Sequence, residues 1–165
     1  MKRIAIIGIS GSGKSTFANK LGKKLDRPVI HLDKEYWTSD WKKRYPTRIE
    51  WKGFVQTIAD RDEWIMDGNY QSSLEIRLSR ADVIVFLDFP KWRALWRSFI
   101  RIFNRTPQFH LPDGAQQKIS SGLVSRILNF PQTEMRVLVN EYKNQSQVYI
   151  VRNNKEINKL LDSLE

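Results

Sequence analysis

Gly8-Ile9-Ser10-Gly11-Ser12-Gly13-Lys14-Ser15 satisfies G-x-x-x-x-G-K-[ST] at every fixed position. A short β-branched run, Arg3 to Ile7, stands directly before it, and an amphipathic stretch, Phe17 to Leu25, follows with Phe17, Leu21 and Leu25 on one face. Strand, glycine-rich turn and helix in that order make the setting in which this pattern binds phosphate. The glycines let backbone N–H groups turn inward, the helix start adds its positive end, and Lys14 reaches the outer phosphates. The expected nucleotide-binding set is therefore Gly8, Ser10, Gly11, Ser12, Gly13, Lys14, Ser15 and Thr16, with the Ser15 hydroxyl as a magnesium ligand. ATP and Mg2+ are the cofactors that follow.

Outward from the loop, apolar runs alternate with helix-compatible stretches. Val83 to Leu87 suits a strand buried on both faces, and Val29 to Leu32, Glu63 to Met66 and Val148 to Val151 are further strand candidates. Five strands separated by helices predict an α/β fold of three layers with a parallel sheet, whose ligands gather at the carboxyl ends of the strands. Lys34 to Asp62 and Asn104 to Ser125 are longer and more polar than crossovers require, and read as insertions folding over the site. The second holds Pro107, Pro112 and Gly114. Residues 1–165 are expected to form one domain carrying these two insertions.

Composition bounds the function. Hydrophobic residues make up 41% and charged residues 28%, as in ordinary globular chains. The absence of cysteine excludes thiolate zinc sites and a cysteine nucleophile. No stretch approaches the ~18 apolar residues of a membrane span, and the basic start Met1-Lys2-Arg3 leads into an apolar run too short for a signal peptide. A cytoplasmic protein is expected. Against 18 acids the chain carries 28 Lys and Arg, a net charge of +10, which implies polyanionic partners. Residues 91–136 concentrate this excess, with eight basic residues and two acids.

Three acidic or basic features carry candidate chemistry. Asp33 follows the second strand candidate, so it lies at the P-loop edge of the sheet; it is either a group that takes a hydroxyl proton or meets the metal shell, or a cap for the next helix. Asp88 ends the run Val83 to Leu87, as a magnesium-shell aspartate or as a turn residue before Phe89-Pro90. After Pro90, Arg93, Arg97, Arg101 and Arg105 repeat every four residues, with Trp92, Trp96, Phe99 and Phe103 beside them. A solvated basic face over an aromatic core face accounts for Arg93. For Arg97 and Arg101, like charges one turn apart repel by a few tenths of a kcal/mol per pair, so an anion between them is the better account.

Taken together, the P-loop, Ile30-His31-Leu32-Asp33, the segment Asp62 to Tyr70, Val85-Phe86-Leu87-Asp88-Phe89-Pro90 and Asn129-Phe130-Pro131 resemble the adenylate kinase-like P-loop proteins. Within that group the likeness is to the small proteins labelled DNA topology modulation, or FlaR-related, proteins, and it spans the chain to about Arg136. The resemblance implies a five-stranded sheet in the order 2-3-1-4-5, an acceptor-binding insertion after strand two and a lid after strand four. It also implies that Arg97 and Arg101 meet the transferred phosphate.

One departure bears on substrate. Adenylate kinases read Asp-Gly-Phe-Pro-Arg after strand three, and that arginine grips the acceptor phosphate, whereas this chain reads Asp67-Gly68-Asn69-Tyr70-Gln71. Either Arg77 substitutes, or the acceptor is a hydroxyl compound, as in the related shikimate and gluconate kinases where an Asp after strand two contacts it. The expected activity is transfer of the γ-phosphoryl group of ATP to a small acceptor. Lys14, Asp33, Arg97 and Arg101 are the catalytic residues and Asp33, Asp67, Asn69, Tyr70 and Arg77 the acceptor-binding ones. Ser15 and Asp88 complete the metal shell. The alternative is a nucleotide-regulated DNA-binding protein that uses Lys34 to Lys52 and the basic lid helix Lys91 to Arg105 for phosphate contacts and stacking.

Overall fold

The computed structural model describes residues 1–103, 112 and 121–164. Most of the expected lid, with Arg105, lies outside the described residues; residues 121–125 begin a helix. Five strands, β1 (Arg3–Gly8), β2 (Val29–His31), β3 (Trp64–Asp67), β4 (Val83–Leu87) and β5 (Gln147–Val151), form one all-parallel sheet in the order β2-β3-β1-β4-β5. Each strand lies within a residue or so of its expected position. The helices are α1 (Lys14–Leu25), α2 (Leu32–Tyr36), α3 (Arg48–Ala59), α4 (Leu74–Leu78), α5 (Lys91–Phe103), α6 (Ser121–Leu128), α7 (Gln132–Glu141) and α8 (Asn154–Ser163). Among the described residues, no helix is long and apolar enough to cross a membrane.

The two-residue period of a strand sorts the core into two layers. From β1, Ile4 and Ile6 join Phe17 and Leu21 of α1 and Leu160 of α8 on one face. Ala5 and Ile7 point the other way, toward Ile58 of α3, Leu74 and Leu78 of α4, and Met135 and Val139 of α7. All four central β1 residues are fully buried, and each isoleucine contributes on the order of 1.5–3 kcal/mol by leaving water. A strand covered on both faces has no polar side, which is why Arg3 to Ile7 reads as a continuous apolar run.

Parallel pairing sends every strand's carboxyl end to one edge. The P-loop leaves β1 there, Asp33 follows β2, Asp67 ends β3 and Asp88 follows β4. Register fixes the depth of each: Asp67 pairs with Ile6 on one side and with His31 on the other, two residues short of Gly8. Between β2 and β3, α3 starts at a Thr47–Glu50 capping box in which each side chain meets the other's backbone N–H. Its Trp51 and Val55 pack with Leu32 into a separate small core.

Helix α5 turns out opposite to a helix with an aromatic core face. Trp92 is 69% and Trp96 60% exposed, while Ala94 and Ser98 are buried against the P-loop. Of the basic stripe, Arg97 and Arg101 lie on the inward, half-buried side. At its start, Arg93 lies over the Phe89 ring, 4.6 Å from the centroid.

Candidate active site

Gly11 and Gly13 show how closely α5 is seated on the P-loop. Both have positive φ, +85° and +98°; a Cβ on Gly11 would stand 2.3 Å from the Ala94 carbonyl oxygen, and one on Gly13 2.9 Å from an Arg97 guanidinium nitrogen. A side chain at Gly11 would force the helix off the loop, and one at Gly13 would displace the Arg97 guanidinium and strain a backbone of positive φ. Gly13 is also the N-terminal cap of α1, so the positive end of that helix opens at Lys14. On the opposite side, Asn69 clamps the loop entrance: its Oδ1 accepts from the Gly8 N–H at 3.0 Å, and its Nδ2 donates to the Gly8 carbonyl at 2.6 Å.

Lys14 folds back to donate to the Ile9 carbonyl at 3.1 Å. Burial pushes its ammonium below the ordinary 10.5, Asp67 and Asp33 pull it up, and Arg101 pushes it down again. For Asp67, burial acts to raise the pKa, but a hydrogen bond with His31, the Lys14 charge and nearby Ser15 outweigh it and hold the carboxyl below 3.8. His31 Nδ1 lies 2.9 Å from Asp67 Oδ2, and Nε2 3.2 Å from Asn19 Oδ1. The other Asp67 oxygen is buried and makes no hydrogen bond.

Asp33 responds the other way. Burial raises its pKa above 3.8, the Tyr70 hydroxyl donating to Oδ1 at 2.8 Å lowers it, Asp67 raises it, and Lys14 and Arg126 lower it. Asp33 does not cap α2. The cap position is His31, and Asp33 sits inside the first turn with its carboxylate on Tyr70.

From α5, Arg97 donates to the Ser12 carbonyl at 3.3 Å. Its pKa is lowered by burial and by Arg93, and that of Arg101 by burial and Arg97, against an upward pull from Asp33. Lys14 and Arg101 thus couple to two carboxylates at one edge of the sheet, with Arg97 beside them on the P-loop and the exposed Arg126 acting on Asp33 only through its charge, an excess of positive charge around partly desolvated groups. Such a cluster favours a polyanion. Two further buried hydroxyls without hydrogen bonds, Ser12 Oγ and Ser98 Oγ, adjoin the same loop. Together with the Asp67 oxygen they are unmet polar groups of the kind a bound phosphate and cation would satisfy.

The expected P-loop residues, Lys14, Asp33, Asp67, Tyr70, Arg97 and Arg101 are brought together; three others require correction. Arg77 is fully buried, with its guanidinium donating to the carbonyls of Gly68, Asn69 and Ser73, and burial brings its pKa down to about 10. Those bonds shape the loop after β3 and leave no fork for an acceptor. Asn69 clamps the P-loop instead of facing a substrate. Asp88 has no exposed side-chain surface and accepts from Gln132 at 2.8 Å and from Arg136 at 2.6 and 3.2 Å, with Arg152 at 3.6 Å, which ties the end of β4 to α7 and β5. Its oxygens are taken up by these donors, whereas Asp67, beside Ser15 and Lys14, has an open one.

Sequence reasoning missed Arg126, His31, Asn19 and Ser98 as neighbours of this edge. Arg126 was visible only as one member of the basic segment, since the reach of its charge to Asp33 depends on how α6 packs. Asp67, expected on the acceptor side, is set beside Lys14 and Ser15 by the register of β3 against β1.

No family model matches the chain. It is 29% identical over 119 residues to the uncharacterized protein YqaC of Bacillus subtilis (strain 168), an alignment covering 72% of this chain and 67% of that protein. Among solved structures, shikimate kinase from Acinetobacter baumannii in complex with shikimate superposes with a TM-score of 0.63 at 16% identity, over 98% of this chain and 89% of that one. A gluconokinase from Sinorhizobium meliloti 1021 gives 0.55 at 16% identity over 98% and 87%. Deoxyadenosine kinase from M. mycoides, with products dCMP and dCDP bound, gives 0.54 at 13% identity over 97% of both chains. The chain has the fold of the P-loop kinases. Kinases of small molecules and of nucleosides share this arrangement of sheet and P-loop, so the fold by itself leaves the acceptor open.

Proposed function

We propose that this protein is an ATP- and magnesium-dependent phosphotransferase whose acceptor is a small hydroxyl compound. The observation that carries the reading is the convergence of Lys14, Arg97, Arg101 and Asp33 beside a complete P-loop at one sheet edge. The whole chain, 1–165, is read as one kinase-like domain with an acceptor side over 34–62 and a lid over 104–125. Within the P-loop kinases the topology modulation proteins remain the narrower resemblance. Of the stretches Lys34 to Lys52 and Lys91 to Arg105 that a DNA-binding reading would use, Arg97 and Arg101 lie at the P-loop, which favours phosphotransfer.

Gly8 to Thr16 would cradle the triphosphate through backbone N–H groups and the α1 terminus. Ser15 and Asp67 would hold the magnesium ion, with Asp67 replacing Asp88 in that role because its buried Oδ1 has no other bond. Magnesium supplies charge neutralisation on the phosphate oxygens, and typically retains several waters when so few protein ligands are present. Among the described residues no cluster of three His, Asp or Glu side chains could hold a metal alone. In the transfer, the acceptor O–H bond breaks as its oxygen bonds to the γ-phosphorus, the γ-phosphorus–oxygen bond to ADP breaks, and the proton passes to Asp33. Lys14, Arg97 and Arg101 stabilise the charge on the group in transit. Tyr70 fixes the carboxylate of Asp33 for its task.

Binding is tested first. ATP with magnesium at about a hundred times its dissociation constant should stabilise the fold by ~2.7 kcal/mol, read as a rise in Tm. No nucleotide-dependent shift would remove the basis of the proposal. The arginines are then separated from ground-state binding. Arg97→Lys and Arg101→Lys keep the charge but lose the planar fork, so kcat should fall roughly 10²-fold while the dissociation constant for ATP changes little. Equal losses in affinity and rate would show that these groups grip the nucleotide before transfer.

A further inference from the structure

The insertion between β2 and β3 holds an unusual run of rings, and two of them are left over from its core. Tyr36, Tyr45, Trp51, Phe54 and Tyr70 close around Leu32 and Val55, with centroid separations of 4.8 to 5.8 Å. These rings spend their faces on one another. Trp37 and Trp41 stand outside that cluster: Trp37 meets Tyr36 edge-on at 4.9 Å and Trp41 at 6.2 Å, and Trp41 remains 43% exposed.

The backbone invests in this placement. Trp41 has φ +62°, a left-handed conformation that is strained for a bulky L-residue and that Gly or Asn would adopt more readily. A closely bonded turn enforces it. Trp41 N–H donates to the Thr38 carbonyl, Lys42 N–H to Thr38 Oγ1, Thr38 N–H to the Lys42 carbonyl, and Trp37 bridges to Lys43. Burial does not explain a tryptophan at the tip of such a turn.

The rings also run in order from the site. Asp33 holds the Tyr70 hydroxyl at 2.8 Å, the Tyr70 and Tyr36 rings are 4.8 Å apart, and Trp37 and then Trp41 continue the series. Among the described residues the one buried arginine on this side, Arg77, is committed to backbone carbonyls. We infer that the acceptor is an alcohol bearing a planar aromatic or heteroaromatic ring, which stacks on Trp37 and Trp41 while its hydroxyl lies at Asp33. This rests on the phosphotransfer reading above and names the substrate class for it. The transfer step is unchanged: acceptor oxygen to γ-phosphorus, ADP as the leaving group, proton to Asp33.

Binding and turnover are measured separately so that the two readings fail separately. The full chain, loaded with ADP and magnesium, is titrated with adenosine, thymidine and pyridine-methanol as ring-bearing alcohols, and with shikimate and gluconate as alcohols without an aromatic ring. Tryptophan emission reports binding, and ADP release from ATP reports transfer. At least one ring-bearing alcohol should quench the emission. Trp41→Gly, which relieves the backbone strain, should keep or raise Tm and leave ATP affinity intact, yet weaken that alcohol about tenfold in Kd. Trp37→Phe, which retains a smaller ring, should weaken it less. A ring-bearing alcohol that binds in a Trp41-dependent way without releasing ADP overturns the kinase reading and, with it, the acceptor role, leaving only a ring-binding surface at Trp37 and Trp41. ADP release with shikimate or gluconate alone, or acceptor affinity unmoved by Trp41→Gly, overturns the inference and leaves the kinase reading standing.

Discussion

Replacing Asp33 with asparagine is expected to lower kcat by roughly 10²- to 10⁴-fold, the usual contribution of a positioned general base, with ATP affinity nearly unchanged. The variant keeps the shape and the hydrogen bond to Tyr70 while losing the ability to take a proton. Because burial raises the Asp33 pKa, the wild-type acid limb of kcat/KM should lie above the ordinary carboxylate value of 3.8, with activity falling as pH drops through it. The amide variant should flatten that limb. Stability should move in the opposite direction. A carboxyl with a raised folded pKa contributes stability that is fully present below its unfolded pKa and is lost as pH rises through the folded one. At neutral pH the folded chain therefore bears a cost that the neutral amide removes, so Asp33→Asn should raise Tm at pH 7 and lose that advantage in acid. A stable, inactive variant is the signature of a site that trades stability for function. An active Asp33→Asn protein would move the proton acceptor elsewhere.

Lys14→Ala is expected to lower turnover by roughly 10²- to 10³-fold, the cost of deleting one preorganised charge donor in a desolvated site, and to weaken ATP binding as well. Both effects arise because Lys14 lies at the centre of the charge cluster, coupled to Asp67, Asp33 and Arg101. Without it, the two carboxylates lose a shared counter-charge, and Asp67 becomes easier to protonate. Single-turnover kinetics with saturating ATP separate the chemical loss from the binding loss, and circular dichroism checks the fold. Retained single-turnover rates would mean that Lys14 acts in nucleotide binding and not in the chemical step.

Much of this molecule was legible in its residue order. The P-loop declares itself because the phosphate-binding turn needs glycine where the backbone is crowded or left-handed, as the close approach at Gly11 and the positive φ of Gly13 illustrate. The strands were visible because a parallel sheet is buried on both faces, which makes each strand a continuous apolar run. The inward turn of Arg97 and Arg101 was foreshadowed by like charges spaced one turn apart. Their aromatic neighbours were harder to read, since Trp92 and Trp96 have the spacing of a core face yet are exposed.

What the sequence alone determined was the local chemistry: a strand, a phosphate loop, a helix, and an aspartate after each of the second and fourth strands. Tertiary structure decided which of these groups face one another. Asp67 and Asp88 both end buried strands and are indistinguishable by motif, but β3 carries Asp67 to Lys14 and Ser15, while β4 delivers Asp88 to Arg136 and Gln132. Asn69 and Arg77 follow the third strand as acceptor residues would, and the packing turns them onto the backbone of the P-loop and of the loop after β3. Residue type sets what a side chain can donate or accept, and only the folded chain determines which partner reaches it first.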